Sequence, residues 1–269
     1  MIPKIIHYCW FGRGPMPEIA KECIESWEKF LPDYEIRLWN EDNFDVNICT
    51  YTSEAYQAKK YAFVSDYARL WVLYKYGGLY FDTDVKLLAS PLNILAAGPY
   101  MGAETNGNES PVSKATVNPG LGMGAEAGMS FLKIMLDRYD TYRFISPADS
   151  SLNLKTIVEY TTELLHESDF PDKITEKIKC AGFNIYPKDF FSPRSLDGRK
   201  TVITPRTVSI HLFANTWGNK SFYAKAISRI KEFSMKHILP STITTKILER
   251  NRQKRNAYFN SNFKIDSRL

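Results

Sequence analysis

Along the first part of the chain, short apolar runs alternate with stretches of helical spacing. Lys4 to Trp10 is a β-branched and aromatic run that reads as a buried strand. Pro17 and Glu18 open a helix that puts Ile19, Cys23, Ile24 and Trp27 on one face and ends near Pro32. Tyr34 to Trp39 alternates as a second strand. After an Asn- and Asp-rich loop, Ser53 is placed to cap a helical region that continues through Tyr61 to Tyr76. Gly77 and Gly78 stop it, and Leu79-Tyr80-Phe81 forms a short strand. The succession is βαβαβ, which predicts an α/β fold with a mostly parallel sheet flanked by helices.

The middle of the chain is less regular. Tyr100 to Glu104 is a candidate strand, and Asn106 to Lys114 a polar loop punctuated by Gly and Pro. Gly120, Gly122 and Gly124 follow at intervals of two. Their spacing lacks the third position of the dinucleotide fingerprint and follows no clear strand, so a dinucleotide site is rejected. Helices are expected over Ser130 to Tyr142 and Leu152 to His166, and a strand over Thr207 to Leu212. Beyond Lys220 the pattern is helical, interrupted at Pro240.

Charge divides the chain more sharply than hydropathy does. From Lys220 to Leu269, twelve Lys or Arg stand against three acids, a net of +9, so the remainder carries −4 of the overall +5. The expected organisation is one α/β domain over residues 1–219 and a basic helical extension over 220–269. Ile227, Ile230, Phe233, His237 and Ile238 recur at helical spacing among the basic residues. That is a solvated face, or a helix that lies on an anionic membrane surface. Nucleic acid is not expected as a partner, since no recognition motif accompanies the charge. No stretch of about 18 apolar residues occurs, and the opening apolar run is too short for a signal-peptide core. The four cysteines form no CxxC pair and look like reduced, mostly buried thiols. The expected location is the cytoplasm, with the basic tail allowing peripheral attachment at the inner face of the membrane.

The strongest chemical signal is Gly77-Gly78-Leu79-Tyr80-Phe81-Asp82-Thr83-Asp84-Val85. An apolar strand delivers two carboxylates just past its carboxyl end, the edge at which open α/β sheets bind ligands. Residues two apart in an extended segment point the same way, so both carboxylates can face one ligand. Close carboxylates repel unless a cation lies between them or one protonates. Hard oxygen ligands suit Mg²⁺ or Mn²⁺, which take further ligands from water and substrate phosphates. The plainer reading of the same residues is an exposed acidic turn. One helix earlier, Asp66 and Arg69 lie three apart and share a face. They are either a surface ion pair or, on a helix as apolar as Val64 to Leu73, a partly buried pair that grips a polyhydroxyl or phosphate ligand.

These runs, together with Ile2-Pro3-Lys4-Ile5-Ile6-His7-Tyr8-Cys9-Trp10-Phe11-Gly12 and Ser65-Asp66-Tyr67-Ala68-Arg69, resemble glycosyltransferase family 32. That family is related to the catalytic domains of the clostridial glucosylating toxins. The resemblance is good from Met1 to Leu92 and resumes near Asn118 and His211. It implies a GT-A-type, Rossmann-like fold and transfer of a hexose from a nucleoside diphosphate sugar, UDP-linked as the first expectation, with retention at the anomeric carbon. The acceptor would be a glycan or a lipid-linked oligosaccharide in polysaccharide biosynthesis, capsular polysaccharide included. Carried over by motif, Trp10 stacks on the donor base, and Asp66 and Arg69 grip the sugar and ribose. Asp82 contacts hydroxyls and the metal, and Asp84 is the principal ligand of Mn²⁺ or Mg²⁺. Asn118 stands near the sugar. His211 is a third metal ligand and Trp217 a wall of the donor pocket, although Leu212 and Asn215-Thr216 depart from the family's closing pattern.

The strand and DxD also resemble the opening motif of haloacid-dehalogenase-type phosphatases. That chemistry needs a downstream Lys and a further acidic pair, for which no clear candidate appears, and about eighty residues precede the motif here. A glycan- or nucleotide-binding module without turnover is the non-enzymatic alternative.

Overall fold

The computed structural model describes residues 1–194 and 201–213. Strand β1 (Ile5–Cys9) lies between β2 (Glu35–Trp39) and β3 (Gly78–Tyr80) and runs parallel to both, with Cys9 opposite Trp39 and His7 opposite Tyr80. Helix α1 (Glu18–Phe30) makes the first crossover; α2 (Thr50–Gln57) and α3 (Tyr61–Tyr76) make the second. The expected βαβαβ start is therefore present.

One expected helix is two. Ala58 to Lys60 separate α2 from α3, with Lys59 in the left-handed region at φ 57° and the Lys60 N–H bonded to the Ala55 carbonyl. The first helix begins at a Cys49 cap rather than at Ser53, and the Thr52 hydroxyl completes the reciprocal cap. Apolar spacing runs through this junction, so the pattern alone conceals the break.

Strand β4 (Val85–Leu87), helix α4 (Leu92–Ala96), strands β5 (Tyr100–Asn106), β6 (Ala115–Asn118) and β7 (Met123–Ala125) follow. Then come α5 (Ser130–Thr141), α6 (Ile157–His166), β8 (Ile178–Cys180), β9 (Phe183–Tyr186) and β10 (Ser209–His211). The large sheet has the order β2-β1-β3-β7-β5-β9-β8, with β6 alongside β5. β1, β2, β3, β5 and β9 point one way and β6, β7 and β8 the other, so the sheet is mixed and mostly parallel, as expected. The glycine-spaced segment, expected to follow no clear strand, in fact follows β6 directly: it is the end of β6, a 3₁₀ turn over Pro119–Leu121, and β7. Helix α6 starts five residues later than expected. Thr156 and Glu159 form a capping box there, while Leu152 pairs with Ile145 in an isolated bridge.

Helix α3 is buried almost all round: Val64, Tyr67, Ala68, Leu70, Val72 and Leu73 pack inside, and Asp66 and Arg69 go in with them. Each fully buried aliphatic side chain there contributes roughly 1.5–3 kcal/mol, which offsets the cost of carrying charge inward. At the start of the sheet, His7 ties three elements together. Its Nε2 donates to the Gly77 carbonyl at 2.9 Å, and its Nδ1 accepts from the Trp39 indole at 3.0 Å. Gly78 is needed beside it, because at φ 102° a Cβ would lie 2.6 Å from the Ile5 carbonyl oxygen.

All four cysteines are free, with Cys9, Cys23 and Cys180 buried. Among the described residues no helix is long and apolar enough to cross a membrane. The expected basic extension at 220–269, and Trp217, lie outside the described residues.

Candidate functional site

The parallel half of the sheet sets the position of the site. Because His7 pairs with Tyr80, the carboxyl ends of β1 and β3 emerge at the same edge, and Trp10 and Asp82 follow them there. The chain does not stay extended through the acidic motif. The Val85 N–H donates to the Asp82 carbonyl at 3.0 Å, which folds Asp82 to Val85 into a turn. The two carboxylates are thus gathered by a turn, not by the alternation of a strand. Beyond the turn, β10 pairs antiparallel with β4 in a separate two-stranded sheet, with His211 opposite Val85 and the Leu212 N–H on the Asp84 carbonyl at 2.9 Å. That pairing carries His211 across more than a hundred residues of sequence to the acidic motif.

Asp82, Asp84 and His211 offer ligand atoms that all lie within 4.8 Å of one another. His211 Nε2 is 3.1 Å from Asp84 Oδ1 and 3.8 Å from Asp82 Oδ2. Neighbouring ligands of an octahedral ion with bonds of 2.0–2.1 Å stand about 3 Å apart, so the Asp84–His211 pair fits one cation. Burial works against a charge on His211, but Asp84 and Asp82 outweigh it and raise its pKa to about 10. Without a cation the imidazolium acts as their counter-ion; a divalent ion would displace that proton.

Asp82 is shared with the interior. Arg69 Nη2 is 2.7 Å from Asp66 Oδ1 and 3.2 Å from Asp82 Oδ1, and Arg69 Nη1 donates to Asp82 Oδ2 at 3.4 Å. The Tyr80 hydroxyl donates to Asp82 Oδ1 at 3.2 Å, and the guanidinium lies 4.8 Å over the Tyr80 ring. Of the two ion-pair alternatives open in the sequence, the structure has the buried one. Burial raises the Asp66 pKa to about 6 and the Asp82 charge adds to it, against the pull of Arg69 and of the Ile157 N–H at the start of α6. Burial opposes the Arg69 charge too, but Asp82, Tyr80 and Asp66 overcome it and hold the guanidinium above its ordinary value. The site therefore has a fixed cationic group behind Asp82.

Asn118 is buried, and its Oδ1 accepts from the Gly120 N–H at 2.7 Å. It shapes the Pro119–Leu121 turn whose Gly120 carbonyl receives the Asp82 N–H at 3.1 Å. Trp10 is half-buried, not a core tryptophan. Its indole donates to the Gly14 carbonyl at 2.8 Å, and its backbone N–H to the Trp39 carbonyl at 2.9 Å. The structure brings Asp66, Arg69, Asp82, Asp84, Asn118 and His211 together, and it sets Trp10 at the same sheet edge. Three neighbours escape a reading of the sequence. Tyr80 looks like ordinary strand core, Gly120 looks like part of a glycine repeat, and Glu104 stands at the end of an apolar run. The acid in that run is the one signal that could have drawn notice.

Comparisons with known proteins bear on this edge of the sheet. Residues 17–100 match the model of the glycosyltransferase sugar-binding region containing a DXD motif. That span includes Asp66, Arg69, Asp82 and Asp84. An inositol phosphoceramide mannosyltransferase 3 of Schizosaccharomyces pombe is 36% identical over 96 residues, which is 31% of this chain and 24% of the relative. The chain thus spans about a quarter of the length of the curated relative it matches. Among solved structures, the PaToxG glycosyltransferase is similar with a TM-score of 0.41 at 19% identity, covering 62% of this chain and 69% of that one. A glycosyltransferase involved in the glycosylation of the major capsid of PBCV-1 gives 0.44 at 11% identity, covering 85% and 100%. Residues 17–100, which carry Asp66, Arg69 and the Asp82–Asp84 pair, are thus similar to the DXD-containing sugar-binding region of glycosyltransferases.

Proposed function

We propose that the protein is a metal-dependent hexosyltransferase that takes its sugar from a nucleoside diphosphate donor, UDP-linked in the first instance. It passes that sugar, with retention, to a glycan or lipid-linked acceptor in polysaccharide biosynthesis. The observation that carries this reading is the convergence of Asp82, Asp84 and His211, with ligand atoms within 4.8 Å, at the carboxyl edge of the parallel strands. An imidazole beside two carboxylates favours Mn²⁺ over Mg²⁺, which prefers oxygen alone.

Each side chain then has a task. Asp84 and His211 would hold the ion, and Asp82 could reach it while its other contacts go to Arg69. When bound, the ion stabilises the negative charge that develops on the departing β-phosphate. Asp66 and Arg69 bind hydroxyls of sugar and ribose, Asn118 lies by the sugar, and Trp10 stacks on the base. Attack by the acceptor hydroxyl occurs on the face the diphosphate leaves. The bond from the anomeric carbon to the phosphate oxygen breaks with its electron pair on the phosphate, which takes the acceptor proton. A covalent glycosyl-enzyme trapped by mass spectrometry would overturn this front-face course.

The test is a panel of UDP-glucose, UDP-galactose, UDP-N-acetylglucosamine and GDP-mannose with Mn²⁺ or Mg²⁺, read by thermal shift and slow donor hydrolysis. GDP-mannose belongs in the panel because the yeast relative is named as a mannosyltransferase. A metal-dependent shift with one donor is expected; none with any donor rejects the function. Hydrolysis of a generic aryl phosphate in its place would favour the phosphatase reading. The net +9 of residues 220–269 supports a cytoplasmic enzyme held at an anionic membrane surface. Pelleting of the full chain with phosphatidylserine vesicles, lost as salt rises, is the expected outcome.

A further inference from the structure

Two neighbouring side chains of α1, Ser26 and Trp27, reach out of their helix onto the strand that follows the acidic motif. Strand β4 is three residues long, and among the described residues it pairs with β10 alone. The Asp84 carbonyl and the Leu88 N–H face that partner, bonding to the Leu212 N–H at 2.9 Å and the Val208 carbonyl at 2.8 Å. By the alternation of an antiparallel pair, the backbone groups of Val85 and Leu87 face the other way. Buried groups of this kind need partners. The Trp27 indole donates to the Val85 carbonyl at 2.8 Å, and the Leu87 N–H donates to the Ser26 hydroxyl at 2.9 Å. Side chains of a helix thus do on one edge of β4 what a strand does on the other.

Trp27 grips the acidic turn at both ends. It is fully buried, and its ring lies 5.4 Å from that of Phe81, the residue before Asp82, and 5.7 Å edge-on from that of Tyr8 on β1. Its N–H holds the carbonyl of Val85, the residue after Asp84. The Val85 N–H is bonded in turn to the Asp82 carbonyl, so Val85 is fixed on both sides of its peptide. His211 stands directly opposite Val85 in the β4–β10 pair, and the same anchored residue therefore sets the third side chain of the cluster. A phenylalanine could supply the apolar contact with Phe81 and Tyr8; what tryptophan adds is a donor aimed at one carbonyl. An ion with bonds of 2.0–2.1 Å and near-ideal geometry tolerates little drift of that backbone.

We propose that Trp27 is a positioning residue of the ion site: from α1 it fixes the chain immediately before and after Asp82-Thr83-Asp84, and so sets the two carboxylates against each other and against His211. Ser26 secures the far end of β4 in the same way. Trp27 acts through Asp82 and Asp84 and touches neither ion nor donor. The proposal rests on the metal reading above and adds the residue that keeps the ligands assembled before the ion arrives.

The experiment titrates Mn²⁺ by calorimetry, without nucleotide, into the unaltered full chain, Trp27→Phe, Ser26→Ala and Leu132→Ala. Leu132 is a fully buried residue of α5, which packs against α2, α3 and α6, and serves as a control for lost core packing. Trp27→Phe keeps an aromatic ring between Phe81 and Tyr8 and removes the N–H. Its Mn²⁺ affinity should fall about tenfold, the low end of what loss of an outer partner of a metal ligand costs. Ser26→Ala should lose about threefold, the weight of one ordinary hydrogen bond further along the strand. Leu132→Ala should lower the urea midpoint and bind Mn²⁺ as the unaltered chain does. Should Trp27→Phe not fold, Ser26→Ala decides. Unchanged Mn²⁺ affinity in Trp27→Phe, or an equal loss in Leu132→Ala, would overturn the assignment, since general stability would then account for Trp27. Failure of the unaltered chain to bind Mn²⁺ would instead reject the metal reading itself, a separate outcome.

Discussion

Gly120 and Asp82 occupy each other's space: a Cβ on Gly120 would sit 2.0 Å from Asp82 Oδ2 and 2.9 Å from Arg69 Nη1. The turn after β6 thus presses bare backbone against the first acid of the motif. Gly120→Ala must displace either the carboxylate or the turn. We expect a stability loss of about 1–3 kcal/mol, the usual cost of overpacking. Metal-dependent donor hydrolysis should fall more steeply than the denaturation midpoint, because Asp82 is moved directly. A variant with normal turnover would show that the position of Asp82 is immaterial.

Asp84 and His211 come from segments far apart in sequence and meet at 3.1 Å. Asp84→Asn and His211→Ala should each weaken Mn²⁺ binding by more than about tenfold, since even changes behind the ligands of a metal cost that much. Calorimetric titration of Mn²⁺ without nucleotide provides the measurement. Full affinity in His211→Ala would remove the histidine from the ligand set and leave the two carboxylates.

Arg69 neutralises Asp66 and Asp82 from a position 4% exposed. Truncation to Ala leaves two inward carboxylates without a counter-charge, and a buried pair broken in this way typically costs about 3–5 kcal/mol. Urea unfolding of Arg69→Ala should show that loss as a lower midpoint with an unchanged slope. Arg69→Lys keeps the charge but not the two-pronged contact with Asp82, so it should retain more stability than activity. Equal retention of both would count against a role for the fork.

His7 gives the protein an acid sensitivity independent of the site. Burial lowers its pKa to about 4, and Arg37 adds to this, against the Gly77 carbonyl. The ring donates at Nε2 and accepts at Nδ1, so it is held neutral, and a proton at Nδ1 would face the Trp39 N–H. A folded pKa below the unfolded value of about 6.5 gives stability that is fully present above 6.5 and lost as pH falls towards 4. The loss is at most about 1.4 kcal/mol per pH unit for one proton. Urea midpoints between pH 7 and 4.5 in His7→Gln should decline less than in the unaltered chain; parallel decline would acquit His7.

What the sequence determined by itself was local. Period-two and helical spacings gave the βαβαβ start, and an acidic pair after an apolar strand marked the edge where chemistry would lie. Asp66 and Arg69, three apart, were legible as a pair because helix geometry fixes that distance. Sequence spacing could not show that α2 and α3 are separate, since the left-handed residue at Lys59 leaves no mark on the apolar pattern. Nor could it place Gly120 under Asp82. His211 was reached by resemblance, yet only the pairing of β10 with β4 sets it against Asp84. Those contacts join residues from tens to more than a hundred positions apart. Hydrogen bonding between strands and the packing of bare backbone against side chains choose such partners, and neither is written in the spacing of any single segment.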